Sequence, residues 1–386
     1  MKTEKRPLSI YVHIPFCVRK CLYCDFLSAP GDDSLQEKYV KCLIEEIRQN
    51  SICYREYQVQ TIFIGGGTPS LLREEWLRSI MEELYGSFAV SDFPEITIEV
   101  NPGTVTFDKL KAYRAMGINR LSIGLQSAVD EELKALGRIH TAEDFFETHR
   151  NAVKSGFNNI NIDLMSAIPG QTIPSYRETL TKVLSLSPPP AHISAYSLII
   201  EEGTPFYVNT PELPDEDADR EMYKITNDIL KENGYHRYEI SNYAAEGFEC
   251  RHNRVYWERG DYVGFGIGAA SLVRNVRFSN SRDIGVYIRT KDFSAIRENM
   301  QKLSVEEQME EFMFLGLRLT GGVSFEKFEK AFGRTMEEVY PGLIGKLAAQ
   351  GLLLYVTDEK GQRRGVRLSE FGLDVSNRVM AEFLLS

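Results

Sequence analysis

Six short β-branched or apolar runs, each followed by a longer stretch with helical spacing, constrain this chain more than any single residue does. The runs are Leu8–Ile14, Val59–Ile64, Glu95–Val100, Arg120–Gly124, Asn159–Met165 and His192–Leu198. Between them lie Leu35–Gln49, Glu74–Leu84, Asp108–Met116, Ala142–Ser155 and Ser175–Leu184, whose apolar residues recur at the intervals of a helix face. Strand-then-helix alternation predicts parallel strands joined by right-handed crossovers. Six units are too few for a closed eight-unit barrel and predict an open or partial one, an α/β fold of (β/α)6 type. The chain has 386 residues, more than one average domain, which favours a barrel carrying an appendage.

The unusual residues fall just after the strands. Cys17, Cys21 and Cys24 follow the first run, Gly65-Gly66-Gly67-Thr68-Pro69 the second and Asn101-Pro102 the third. Gln126 follows the fourth run, and Ile168-Pro169-Gly170-Gln171-Thr172 the fifth. Ligands of parallel α/β folds bind at the carboxyl ends of the strands, so these residues are expected on one rim. Beyond Pro188-Pro189-Pro190 the alternation weakens. Tyr207–Asp219 is rich in Pro, Asp and Glu and reads as a surface loop, while Ile225–Asn233 reads as a helix. Tyr262–Val273 is glycine-rich and apolar, which predicts close backbone packing on a ligand or another segment. Helical segments Glu306–Leu317, Phe325–Phe332 and Leu343–Gln350 precede a hairpin at Leu352–Val356 and Gly365–Leu368, the pattern of a small winged-helix-like domain. The expected division is a core at 1–240, a barrel extension and connecting segment at 241–303, and a C-terminal domain at 304–386.

Composition narrows the functional classes. Hydrophobic residues make up 43% and charged residues 26%, as in an ordinary globular protein, and the net charge is −10. An acidic chain lacks the footprint of a general nucleic-acid binder. The opening stretch MKTEKRPLSIYVHIPFC carries charge without a long apolar run, so no signal peptide is expected, and no segment is apolar enough to span a bilayer. Three of the six cysteines lie within eight residues, while Cys42, Cys53 and Cys250 stand apart. Clustered cysteines without an export signal read as metal ligands in a reducing, cytoplasmic compartment.

The spacing Cys17-x3-Cys21-x2-Cys24 suits three irons of a [4Fe–4S] cubane and leaves the fourth open, whereas ordinary electron-transfer clusters close every iron with cysteine. An open iron can chelate the amino and carboxylate groups of S-adenosylmethionine (SAM). An electron passed into the sulfonium then releases a 5′-deoxyadenosyl radical. Other readings remain: zinc completed by His13 or Asp25, or a closed cluster recruiting Cys42 or Cys53.

The segment YVHIPFCVRKCLYCDF, the GGGTPSLL turn and the run NIDLMSAIPGQT resemble the radical-SAM family that contains oxygen-independent coproporphyrinogen III dehydrogenase and the heme chaperone HemW. The resemblance covers almost the whole chain and implies a partial radical-SAM barrel. It implies that Cys17, Cys21 and Cys24 hold the cluster and that Gly66, Gly67 and Thr68 contact the amino-acid portion of SAM. By the same resemblance Tyr11, Glu99, Gln126, Arg138 and Asp163 are SAM positions, and Tyr23 packs on the cluster or adenine. The plainer alternatives are a tight turn for the glycines, a core aromatic for Tyr11, and solvated charges for Glu99 and Arg138. Asp163 lies inside an apolar strand and needs a partner. Some of these positions serve a second SAM in coproporphyrinogen-oxidising members.

Two features decide between members. Coproporphyrinogen dehydrogenases carry C-x3-C-x2-C-x-C, and this chain has Phe26 at the last position; with the cluster motif inside the first two dozen residues, their long segment before it is expected to be missing. Cys250-Arg251-His252-Asn253-Arg254-Val255-Tyr256-Trp257 resembles the HNxxYW motif of HemW proteins. There His252 is either an axial heme ligand, with His13 as the alternative, or a hydrogen-bonded packing residue. Arg274, Arg277 and Arg282 either clamp heme propionates or form a solvated face. The resemblance implies a heme chaperone, with an enzyme oxidising coproporphyrinogen III or another tetrapyrrole as the alternative. Expected partners are heme, a heme-acceptor protein such as a respiratory one, and an electron donor such as flavodoxin or ferredoxin. Nucleic acid is not among them; peripheral membrane association and a dimer are.

Overall fold

The computed structural model describes residues 5–385; Met1–Glu4, which open the charged N-terminal stretch, and Ser386 lie outside it. Six parallel strands form its centre: β1 (Arg6–Ile14), β2 (Tyr57–Gly66), β3 (Val90–Val100), β4 (Arg120–Gln126), β5 (Asn159–Ser166) and β6 (His192–Ser197). They neighbour one another in sequence order, each pair in parallel register. The crossovers run through α1 (Asp33–Ser51), α2 (Glu74–Ser87), α3 (Phe107–Ala115), α4 (Asp130–Ala135) with α5 (Ala142–Lys154), and α6 (Ile173–Leu184). This is the expected partial (β/α)6 barrel. Local chemistry starts the helices where the sequence turns: Asp32, Thr106, Thr141 and Thr172 each accept a first-turn N–H at their N-caps.

Period two along the strands divides the barrel into two faces. Ile10, Val12, Ile62, Ile64, Ile98, Ile123 and Ile162 are fully buried against the helices. The alternate positions, among them Tyr11, Phe63, Glu99, Ser122, Asp163 and Ser194, face a lumen. A strand set that reads apolar–polar–apolar thus makes a dry outer core and a polar inside.

The sheet continues past the six strands at both ends. Beside β6 lie β7 (His236–Arg237) and β8 (Asn242–Ala244); beside β1 lie β9 (Tyr262–Phe265), β10 (Ala270–Val273), β11 (Val276–Asn280) and β12 (Arg297–Lys302). The glycines of the Tyr262–Val273 stretch allow close contact with another chain segment. Gly266, at φ +98°, lies where a Cβ would meet the Tyr39 hydroxyl at 2.4 Å and the His13 carbonyl at 2.7 Å.

One expectation is corrected. Tyr207–Asp219 is not a loop throughout: Pro205–Val208 forms the short helix α7, and α8 spans Glu216–Glu232. Asp215 caps Ala218 N–H, and Glu216, Asp217 and Asp219 occupy the first turn, where the helix dipole favours acidic groups. The acidity that reads as solvated loop is a helix start. A short helix, α9 (Arg251–Trp257), follows, and its His252, Asn253 and Tyr256 line the lumen.

The C-terminal segment carries its own apolar cluster, from Met309 to Phe383, around a three-stranded antiparallel sheet. In that sheet β15 (Arg363–Leu368) lies between β13 (Val323–Ser324) and β14 (Leu353–Thr357), with helices Val305–Gly316, Phe325–Phe332 and Leu343–Ala349 beside it. Among the described residues no helix is long and apolar enough to cross a membrane.

Candidate functional site

A cavity of about 370 Å³ opens at the carboxyl ends of the strands. The loop after β1 supplies Cys17, Cys21, Tyr23 and Cys24 to its wall, and the turn after β2 supplies Gly66, Gly67 and Thr68. Glu99, Gln126, Arg138 and Asp163 complete the set that the structure brings together. The loop is irregular but anchored: Cys17 N–H donates to Ala29 O at 3.2 Å, Leu22 N–H to Leu136 O at 3.0 Å and Cys24 N–H to Cys21 O at 3.3 Å.

The three cysteines are half-buried and free. Burial pushes the Cys17 and Cys24 thiols up, so metal binding at these thiolates releases protons. Among the described residues no three Cys, His, Asp or Glu side chains converge as ligands of one ion. The three cysteines instead ring a cavity, a layout suited to a cluster that takes one thiolate per iron. Cys42 lies on α1 with its thiol on Ile288 O at 3.4 Å, Cys53 is exposed beyond α1, and Cys250 is buried beside α9. None of these lines the cavity with the triad, so the donor set there is three thiolates. The residues present fit an open cluster.

The turn around Gly66–Thr68 is tightly built. Gly66 adopts φ +115°, and a Cβ on it would sit 2.6 Å from the His13 ring; one on Gly67 would sit 2.6 Å from Phe16 O. Its amides serve the site: Gly66 N–H donates to Glu99 Oε2 at 2.9 Å. Burial, then the nearby Asp163 carboxylate, pushes the Glu99 carboxyl up to about 8. Burial also raises Asp163, which accepts from Asn161 Nδ2 at 2.7 Å and Ser122 Oγ at 3.3 Å, the partners its strand position demands.

Arg138 is part-buried, not a surface charge. Its guanidinium donates to Gly124 O at 2.7 Å and Asn101 Oδ1 at 2.9 Å, and it points at Cys21 Sγ from 3.7 Å. Asn101 in turn donates to Thr68 Oγ1 at 2.8 Å, so a polar chain runs from the glycine turn to Cys21. Gln126 holds φ +72°, uncommon for a non-glycine residue, and accepts from the Tyr196 hydroxyl at 3.0 Å.

Tyr11 and His252 lie elsewhere. Both line a second cavity, also about 370 Å³, in the lumen beneath the first. Tyr11 packs on Phe63 and donates to His13 Nδ1 at 3.0 Å, while His13 Nε2 donates to Leu27 O at 2.8 Å. His252 is 1% exposed. Thr61 gives its hydroxyl proton to Ser9, so His252 Nδ1 donates to Thr61 Oγ1 at 2.7 Å and Nε2 accepts from Tyr256 at 2.8 Å. Burial, then the Arg120 charge, pushes the imidazole down to about 3. Both ring nitrogens of His13 and of His252 are therefore engaged. Of the three arginines, Arg274 pairs with Glu56 and Arg277 with Glu311. Trp257 packs under Arg318, 4.3 Å from its guanidinium carbon.

Asn101 stands on the rim as its post-strand position predicts, whereas Ser122, Asn161, Ser194 and Tyr196 were not expected as site residues. The signal was the alternation itself: they stand on the same strand faces as, or directly beyond, the residues that the motifs picked out.

The chain matches the radical SAM superfamily over residues 11–183 and the HemN C-terminal domain over residues 303–359. It is 36% identical to the heme chaperone HemW of Lactococcus lactis over 99% of this chain and 98% of that protein. It is also 36% identical to heme chaperone HemW of Bacillus subtilis, over 97% and 99% of the two chains. The structure of coproporphyrinogen III oxidase (HemN) from Escherichia coli, described as a radical SAM enzyme, superposes with a TM-score of 0.84 at 23% identity, over 98% of this chain and 90% of that one. That likeness concerns the fold.

Proposed function

Because the chain belongs to the HemW family of radical SAM proteins, we propose that it is a heme chaperone that binds a [4Fe–4S] cluster, SAM and heme and delivers heme to an acceptor protein. The observation that carries this reading is the rim cavity with three thiols and no fourth cysteine, Phe26 standing exposed at the position in question. Cys17, Cys21 and Cys24 hold the cluster. When bound, the cluster supplies the electron that splits the SAM sulfonium.

The chain's own groups do the positioning. Gly66, Gly67 and Thr68 present backbone and hydroxyl to the amino-acid end of SAM. Glu99 and Asp163 accept from its hydroxyl or ammonium groups, and Gln126 fixes the adjacent edge with Tyr196. Tyr23 packs over the cluster or adenine. Arg138, beside Cys21, stabilises the thiolate form that an iron ligand requires. Tyr11 supports this set from below, through the Phe63 stack. A heme iron approaching His252 would have to displace Tyr256 from Nε2, so the geometry favours heme docking at the rim with His252 as packing.

The same reading extends to a cytoplasmic location and to a flavodoxin or ferredoxin as electron donor. It divides the chain at 240 and 303, and the separate apolar cluster of the C-terminal segment supports the second of these boundaries. The test is anaerobic reconstitution. Cys17→Ala, Cys21→Ala and Cys24→Ala are expected to lose cluster iron and sulfide, and the wild type to pass heme to an apo-acceptor without consuming coproporphyrinogen III. Undiminished iron in the variants overturns the cluster; robust SAM-dependent decarboxylation overturns the chaperone and leaves the enzyme.

A further inference from the structure

The lumen cavity beneath the rim is walled by polar groups that mostly satisfy one another. Asn161 Oδ1 accepts from His192 Nδ1 at 2.6 Å, and its Nδ2 donates to Ser122 at 2.8 Å as well as to Asp163. Ser194 donates to Asn242 Oδ1 at 2.7 Å. His252 and Tyr256 close the floor with the bonds described above.

Arg120, which also lines the cavity, is the exception. It stands at the start of β4, 2% exposed, with Nε buried and no hydrogen-bond partner. Its acidic neighbours are engaged elsewhere. Glu95 accepts the backbone N–H groups of Arg251 and His252, each at 2.9 Å, and lies 3.6 Å from the Cys250 thiol. Asp163 is held by Asn161 and Ser122. A guanidinium stays charged at any working pH, and a buried charge without a partner is costly. Glu95 and Asp163 act on that charge from nearby, but neither hydrogen-bonds to the guanidinium, whose donors adjoin an accessible polar cavity.

We propose that the barrel lumen is a carboxylate-binding site in which Arg120 receives the acid group of a ligand entering from the rim. The planar fork of a guanidinium matches a carboxylate. Asp163 lines the same cavity and repels a phosphate dianion more than a carboxylate monoanion, which favours the acid class. The carboxylate belongs either to a free short-chain acid or to the acid arm of a tetrapyrrole. Only the second source rests on the heme reading, and neither uses a cluster ligand.

The experiment follows thermal unfolding and ligand affinity of the full chain with propionate, with deuteroporphyrin IX and with deuteroporphyrin dimethyl ester. An acid is expected to raise the unfolding temperature and the ester not to. Arg120→Met should bind the acid about tenfold or more weakly, while Arg120→Lys retains part of the affinity. A response to propionate identifies the free acid; a response to deuteroporphyrin alone identifies the tetrapyrrole arm. No preference of the wild type for acid over ester overturns the site, whatever the variants do. An undiminished response in Arg120→Met overturns the role of Arg120. Cys21→Ala should keep the acid response, so failure of this site and failure of the cluster are separate results.

Discussion

The rim and the floor of the barrel are built from the same strands and the same residue types, and they behave differently. At the rim the cysteines are half-buried on an irregular loop, and Phe26 is 62% exposed above an open cavity. At the floor His252, Tyr256 and Glu95 form a closed set, with both imidazole nitrogens and both carboxylate oxygens engaged. The difference teaches that residue identity does not make a ligand site; unspent bonding capacity beside open space does. A histidine flanked by tyrosine and tryptophan reads either as a heme ligand or as a packing residue, and here both its ring nitrogens are already hydrogen-bonded.

The floor should therefore show the largest stability effects. Cys250, the N-cap residue of α9, offers no side-chain acceptor, and Glu95 accepts first-turn amides in its place. Glu95→Ala should cost about 3–5 kcal/mol, the range for breaking a buried charged network. Urea unfolding would show it as a lower midpoint at unchanged slope; a loss below about 1 kcal/mol would mean that α9 does not hold the floor. Next comes the one rim element as tightly packed as the floor. Gly66→Ala must place a Cβ at φ +115° within 2.6 Å of the His13 ring, so about 2–4 kcal/mol is expected in the same assay. A tolerated alanine would show the rim to be looser than its hydrogen bonds indicate.

His252→Gln carries a smaller cost and a pH signature. At pH 7 the loss of fitted bonds to Thr61 and Tyr256 should cost about 2 kcal/mol. The folded imidazole titrates near 3, while the unfolded one titrates at its ordinary value of 6.5. Below 6.5 the unfolded chain therefore takes up a proton that the native chain refuses, and native stability falls as pH drops towards 3. The slope approaches about 1.4 kcal/mol per pH unit, so the wild-type advantage over His252→Gln should be nearly gone by about pH 5. An advantage that stays constant from pH 7 to 5 would place a charged or solvated imidazole at 252.

Much of the rim was legible in the sequence, because its signals are local. Cysteine spacing, a glycine turn and post-strand position survive folding unchanged, and β1–β6 follow from period-two runs separated by helical ones. The floor was less legible, because its meaning depends on which side of a short helix faces the barrel and on register between strands. Nothing local says that Ser9, Thr61 and His252 form one chain of hydrogen bonds, or that Arg120 Nε is left without a hydrogen bond where Asp163 is held. The acidic start of α8 was missed for a different reason: Asp and Glu favour both solvated loops and helix first turns, and only the Asp215 cap distinguishes them.

The smallest stability effect carries the sharpest functional consequence. Phe26 is largely exposed, yet it lines both the rim cavity and the lumen, so it stands where the two regions meet. Phe26→Cys restores the fourth cysteine of the coproporphyrinogen-oxidising pattern. Because the side chain is mostly in solvent, unfolding stability should change by no more than about 0.5 kcal/mol. Iron and sulfide per chain should stay the same, since the triad already provides one thiolate per ligated iron. If a single cysteine separated carrying heme from oxidising a porphyrinogen, this variant would begin to decarboxylate coproporphyrinogen III with SAM. The expectation is that it does not, because the remaining lumen residues and the segment before the cluster motif are unaltered. Turnover by the variant but not by the wild type would move the distinction between the two activities to this one rim position.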